Sequence, residues 1–163
     1  MNTESMLADV ALRTWKQNAD RVVKFFANQS EDQLQREVAP GRNRLIYILG
    51  HLVAVNDALL PLLGFGPRLH PHLDEVFVKS PDRAVATLPS GEDLKRFWAE
   101  VDEALSRHFA ALTPAQWVEK HASVSTEDFA REPHRNRFNV LLSRIGHMQQ
   151  HMGQAVLADP RKS

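Results

Sequence analysis

Apolar positions recur with the period of an α-helix in four stretches of this chain. In the first, Ala8, Leu12, Trp15, Ala19, Val22 and Phe26 follow one another at intervals of 4-3-4-3-4, the seam of a bundle helix, which predicts a helix over Thr3 to Ala27. The second, Arg44 to Leu63, is apolar nearly all round, as in Leu45, Ile46, Ile48, Leu49, Leu52, Val53, Val55, Leu59 and Leu60. Such a helix is buried on several sides. A third seam at 4-3-4-3-4 runs through Leu94, Trp98, Val101, Leu105, His108 and Leu112. The fourth stretch, Asn136 to Ala158, holds no proline and repeats Leu141, Ile145, Met148, Met152 and Val156 at 4-3-4-4. It is expected to present one buried stripe.

Turn and capping residues punctuate these stretches. Asn28-Gln29-Ser30 ends the first helix, Glu31 to Val38 holds a short turn of helix, and Pro40-Gly41 turns the chain. Asn43 sits where an N-cap is expected for the second helix. Pro61 falls in the last turn of that helix and Gly64-Phe65-Gly66-Pro67 stops it. A connection of about 25 residues follows, to Ser90, too long to be idle in a compact domain. It has room for a short helix over His72 to Val78. Ser90 caps the third helix, with Asp93 three residues on. Thr113-Pro114 closes it and starts a turn through Trp117, and Lys120 to Arg135 reads as a polar loop with Pro133 ahead of the fourth helix. Four helices of roughly 20 residues, two long connections and no strand pattern predict an all-α protein, a four-helix bundle. At 163 residues it reads as one domain over 1–163.

Composition narrows the classes of function. Lys plus Arg and Asp plus Glu both number 20, so the formal net charge is zero and no basic excess points to nucleic acid. The one short basic patch, Arg131 to Arg137, reads as a solvated loop. Cys is absent, which removes disulfides and any thiolate of the chain's own. The N-terminus shows no signal-peptide pattern, and the longest apolar run, Leu45 to Val55, is too short to span a bilayer. A cytoplasmic protein without a membrane partner is expected.

The chemistry sits in the histidines. His147 and His151 are one turn apart on the fourth helix, so their imidazoles leave the same side. His51 is read as the sole ionisable group inside the second helix, where an unpaired imidazole costs about 1–3 kcal/mol. Facing helices approach to about 8–10 Å, so His51 can meet the pair and share a metal with it. His108, on the third seam, is the outside candidate for a fourth ligand, although packing suits it better. Gln154 lies on the histidine face and can hydrogen-bond a metal-bound group. His70, His72, His121 and His134 fall in loops. HMQQH lacks the glutamate of a zinc protease's HExxH, and Arg144 and Met148 stand where a di-iron bundle needs glutamates. No haem-attachment or phosphate-loop motif occurs. LIYILGH and LLSRIGH, Leu45 to His51 and Leu141 to His147, echo one another weakly.

Two stretches, PGRNRLIYILGHL from Pro40 to Leu52 and HMQQHMGQ from His147 to Gln154, resemble the DinB-like family of small four-helix proteins, the DinB/YfiT-like metalloenzymes. The order of elements and the long connection after the second helix match as well. The resemblance implies a divalent transition metal, such as zinc, nickel or iron, held by His51, His147 and His151. It also implies a small-molecule substrate and a homodimer. Family members of known activity include bacillithiol transferases and the mycothiol-dependent maleylpyruvate isomerase, so a transferase or isomerase using a low-molecular-weight thiol is the leading expectation. With no Cys in the chain, the thiol must come from a cosubstrate; water at the same position would give hydrolysis instead. No catalytic acid or base is identifiable. The alternative is a non-catalytic binding or stress-response protein in which the histidines or a metal staple the bundle.

Overall fold

The structure, a computed structural model, describes residues 2–158. Helix α1, Thr3–Ala27, starts on Asn2, whose side chain accepts from the Ser5 N–H at 2.9 Å. Its buried line is Ala8, Ala11, Trp15, Ala19, Val22 and Phe26, with Ala11 rather than Leu12 innermost. A capping box between Ser30 and Gln33 opens the single turn α2, Glu31–Leu34. Helix α3, Leu45–Asp57, continues after a break at Ala58 into α4, Leu59–Leu62. Pro61 explains the break, because it has no N–H to donate to the carbonyl of Asp57 four residues before it. The end at Leu63 is a Schellman-type turn: Gly64 takes φ 78° and the Phe65 N–H reaches back to the Leu60 carbonyl at 2.8 Å.

Two expectations about α3 need correction. Asn43 is not its N-cap. Arg44 occupies the cap position with no side-chain cap, and its own N–H donates to Asp82 Oδ2 at 2.8 Å while its guanidinium grips the same carboxylate. A carboxylate 38 residues away does the capping. Nor is His51 the sole ionisable group inside the helix, for Asp57 is fully buried at its end. Asp57 accepts from Arg68 Nε at 3.1 Å and from the N–H groups of Leu69 and His70 at 2.8 and 3.0 Å. Arg68 also pairs with Asp74 and donates to the Ala54 carbonyl at 2.9 Å. The long connection is therefore bolted to α3 from inside the protein.

That connection carries the expected short helix as a turn over 73–79, wound in its last part as a π-turn, Glu75–Lys79. Helix α5, Gly91–Ala111, begins on Ser90, whose Oγ accepts from the Asp93 N–H at 3.0 Å. Leu94, Trp98, Val101 and Leu105 are buried as expected, and Phe109 rather than His108 or Leu112 completes the line. α6, Pro114–Trp117, buries Trp117. The segment read as a polar loop contains one further short helix, α7, Thr126–Arg131, capped by Ser125. Helix α8, Arg137–Ala155, is capped by Asn136 and runs on as a 3₁₀ turn, Val156–Ala158. Ala155 replaces Val156 at the end of its buried stripe.

The four long helices enclose one core: α1 lies against α8 and α5, and α3 against α5 and α8. Trp15, Phe26, Leu49, Trp98, Leu105, Leu141 and Met148 fill it. Arg137 Nε donates to the Leu63 carbonyl at 3.1 Å, so the start of α8 meets the end of α4 and the two run antiparallel. No strand occurs among the described residues; two isolated bridges, Glu37 to Arg44 and Lys120 to Asn136, close loops. The 18 residues Leu45–Leu62 have a mean hydropathy of 1.7, enough by composition to cross a membrane, but 67% of the window is buried within the fold. This is the core segment of a helical domain.

Candidate metal centre

Tyr47, His51 and Val55 form the partly exposed line of α3, whose other faces are core. On α8 the corresponding line is Val140, Arg144, His147, His151 and Gln154, beside the buried stripe. Antiparallel packing sets these lines against each other. The structure brings all three expected histidines together: His147 Nε2 lies 3.1 Å from His51 Nε2 and 3.1 Å from His151 Nε2. One ligand atom from each of the three residues falls within 4.8 Å of the others.

The proton arrangement decides what this cluster can hold. His51 Nδ1 is 2.7 Å from the Phe77 carbonyl, an acceptor only, so Nδ1 carries the hydrogen and Nε2 turns its lone pair inward. His151 Nδ1 lies 3.0 Å from Gln154 Oε1 and donates to it, leaving Nε2 again as a lone pair. His147 Nε2 faces both lone pairs, yet a neutral ring carries only one hydrogen. Donation from His147 Nε2 serves one neighbour and leaves the other lone pair opposed to nothing positive. With the hydrogen on Nδ1 instead, all three lone pairs converge, and Nδ1 of His147 is buried without a partner. Three converging imidazole lone pairs fit a transition-metal ion, and the backbone carbonyl and amide behind two of the rings are the supports that orient metal-binding histidines.

Electrostatics keep His147 and His151 in the neutral form that a metal needs. Burial pushes the His147 imidazole down from 6.5 to about 3, helped by His151, Arg144 and His51 in that order. His151 is lowered by burial and then by His51, against the Gln154 hydrogen bond, which raises it.

Gly50 explains how the Phe77 carbonyl comes so close. A Cβ at position 50 would come within 2.3–2.5 Å of three atoms of the Phe77 ring, so only glycine lets the π-turn seat itself on α3. Tyr47 stacks on His51 at 6.3 Å between centroids with planes 10° apart, and its hydroxyl donates to the Ser80 carbonyl at 2.7 Å. The loop after α4 thus forms one wall of the site. The glycine of the second Gly-His pair has no such task, since a Cβ on Gly146 would meet nothing.

The remaining histidines stay outside. His108 lies flat on Phe65, 4.6 Å between centroids and 2° between planes, and among the described residues no fourth His, Asp or Glu joins the cluster. His70 is buried against Phe97, centroids 4.1 Å apart, its Nε2 2.9 Å from Glu100 Oε2 without the alignment of a hydrogen bond. His121 accepts from the Ser123 N–H at 3.2 Å, and His72 and His134 are exposed. Sequence reasoning places Gln154 on the histidine face but misses the Phe77 carbonyl, Tyr47 and Arg144. Tyr47 and Arg144 are readable in principle, one turn or two from a histidine on the same helix faces.

A family profile described as the DinB superfamily matches residues 14–155. A solved structure titled as a conserved protein from Enterococcus faecalis superposes with a TM-score of 0.64, covering 97% of this chain and 95% of that one at 17% identity. At that identity the likeness speaks for the fold alone. No curated protein matches the chain.

Proposed function

The chain belongs to the DinB superfamily, and from that premise we propose that it is a metal-dependent enzyme that joins a low-molecular-weight thiol to an electrophilic small molecule, or isomerises such a molecule with the thiol's help. The observation that carries the proposal is the convergence of three Nε2 lone pairs on one point, two of them fixed by partners behind the ring. In this reading His51, His147 and His151 hold a divalent transition metal such as zinc, nickel or iron. Bound there, the metal would act as a Lewis acid that lowers the pKa of a thiol sulfur.

The chain's own residues do the rest. The Phe77 carbonyl and Gln154 hold two rings in the binding tautomer, while burial keeps His147 neutral. Tyr47 and the π-turn cover His51 and limit water on that side. Three protein ligands leave coordination positions for substrate, as catalytic sites do, whereas a structural staple calls for a fourth. His108, the candidate for that role, is engaged with Phe65. A homodimer is part of the proposal, to be read by sedimentation. The reaction itself is tested by following consumption of a low-molecular-weight thiol with an activated aryl halide. Metal-loaded protein should accelerate it, and chelated protein or His147→Ala should not; equal rates for all three would sink the enzyme reading.

A further inference from the structure

Among the described residues, every other buried or half-buried arginine has a carboxylate: Arg44 has Asp82, Arg68 has Asp57 and Asp74, Arg135 has Glu132, and Arg137 has Glu119. Arg144 has none. Its Nε is buried without a hydrogen-bond partner, and among the described residues its guanidinium makes no ion pair. Helix α8 contains no Asp or Glu over Arg137–Ala155, and the acidic residue of α3, Asp57, is committed to Arg68.

The position of this lone cation matters. Arg144 precedes His147 by three residues and His151 by seven, so all three leave the helix on one face. It is close enough that its charge opposes a second positive charge on His147. Burial also disfavours the charged form of Arg144 itself. Three neutral imidazoles, a divalent cation and a guanidinium bring only positive charge to one place, and among the described residues no carboxylate joins the cluster to offset it. A guanidinium that merely packed there would be repelled by a metal in the cluster. An anionic ligand reverses the sign of the interaction.

We propose that Arg144 is the anion-binding, specificity-determining group of this centre and takes a carboxylate of the substrate or of the thiol cosubstrate beside the histidine cluster. This inference takes its location from the metal reading proposed above, but the unpaired guanidinium stands without it. A guanidinium presents two parallel N–H donors that match a carboxylate edge. Phosphate generally recruits several cations or a nest of backbone N–H groups, and no second cation stands on this face of α8 between Arg144 and Gln154. A single planar monoanion is the better match.

The test compares two probes of the same size and opposite fit to a guanidinium, the anion mercaptoacetate and its neutral isostere mercaptoacetamide, on zinc-loaded protein. Calorimetric titration of the native chain, Arg144→Met and Arg144→Lys gives the affinity ratio of the two probes for each. In parallel, the Arg144 Nε–H resonance, protected from exchange by its burial, is followed by nitrogen-15 NMR during the same titrations. The ratio should fall by about tenfold or more in Arg144→Met, the scale of one charge-assisted hydrogen bond, with zinc retained. Arg144→Lys should recover part of it. The Nε–H resonance should move with mercaptoacetate and not with the amide. An unchanged ratio in Arg144→Met, or an unmoved Nε–H, overturns the assignment. Should zinc fail to bind at all, the metal reading falls by itself, and the Nε–H titration on metal-free protein decides the fate of the carboxylate site.

Discussion

His51 Nδ1 donates to the Phe77 carbonyl at 2.7 Å, and the residue before His51 is a glycine whose missing Cβ makes that approach sterically allowed. One loop carbonyl thereby sets the tautomer of a half-buried ring, and one absent methyl lets the loop reach it.

Gly50→Ala is therefore expected to act at a distance. The new Cβ pushes the Phe77 ring and its π-turn off α3, for a loss of about 1–3 kcal/mol in stability despite alanine's better helix propensity. Metal affinity should drop about 10- to 100-fold, the usual cost of losing a support behind a ligand. Gly146→Ala, where the space is open, should instead be neutral or stabilising by up to about 1 kcal/mol. Thermal melts and competitive metal titrations of the two variants give the contrast.

Acid should destabilise the metal-free protein through His147. Its folded-state pKa is held near 3, against 6.5 for the ordinary group. The unfolded chain consequently binds the extra proton between those values. The stability that the neutral ring contributes is complete above pH 6.5 and is lost as pH falls toward 3. Urea midpoints of chelated protein should decline across this window, and His147→Phe, which cannot titrate, should decline less. Equal slopes for the two chains would contradict the burial of a neutral imidazole.

Asp57→Ala strips three donors of their acceptor in one step: the Arg68 guanidinium and the N–H groups of Leu69 and His70. The expected loss is about 3–5 kcal/mol in urea unfolding, the range for breaking a buried, hydrogen-bonded charge pair. Hydrogen exchange should quicken along the 68–80 connection. Metal affinity should fall as a secondary effect, because that connection carries the Phe77 carbonyl.

Periodicity alone makes the four long helices and their inward faces legible in the sequence, because burial of a stripe repeats along the chain. Seam edges shift by one position, as at Ala11 and Phe109, where packing against neighbours decides which of two adjacent side chains turns inward. The three histidines are legible for a related reason: two share a helix face and one interrupts an apolar helix. The roles of Arg44, Asp57 and the Phe77 carbonyl are not. Each acts through a partner far along the chain, Asp82 for Arg44 and the 68–77 connection for Asp57 and His51, and local spacing holds no trace of such pairings. The short α7 escapes for want of an apolar stripe, none of its residues being buried. Its signature is the cap alone, Ser125 accepting from the Asp128 N–H.

The shared metal is tested most directly by the metal content of protein purified untagged and without chelator, measured by mass spectrometry for the native chain and His51→Ala. About one equivalent of a transition metal per native chain is predicted, with loss of most of it in His51→Ala, because a pair of imidazoles on one helix holds a metal far more weakly than three. A native chain that stays metal-free even after reconstitution, or a His51→Ala chain that retains its full equivalent, would contradict the account.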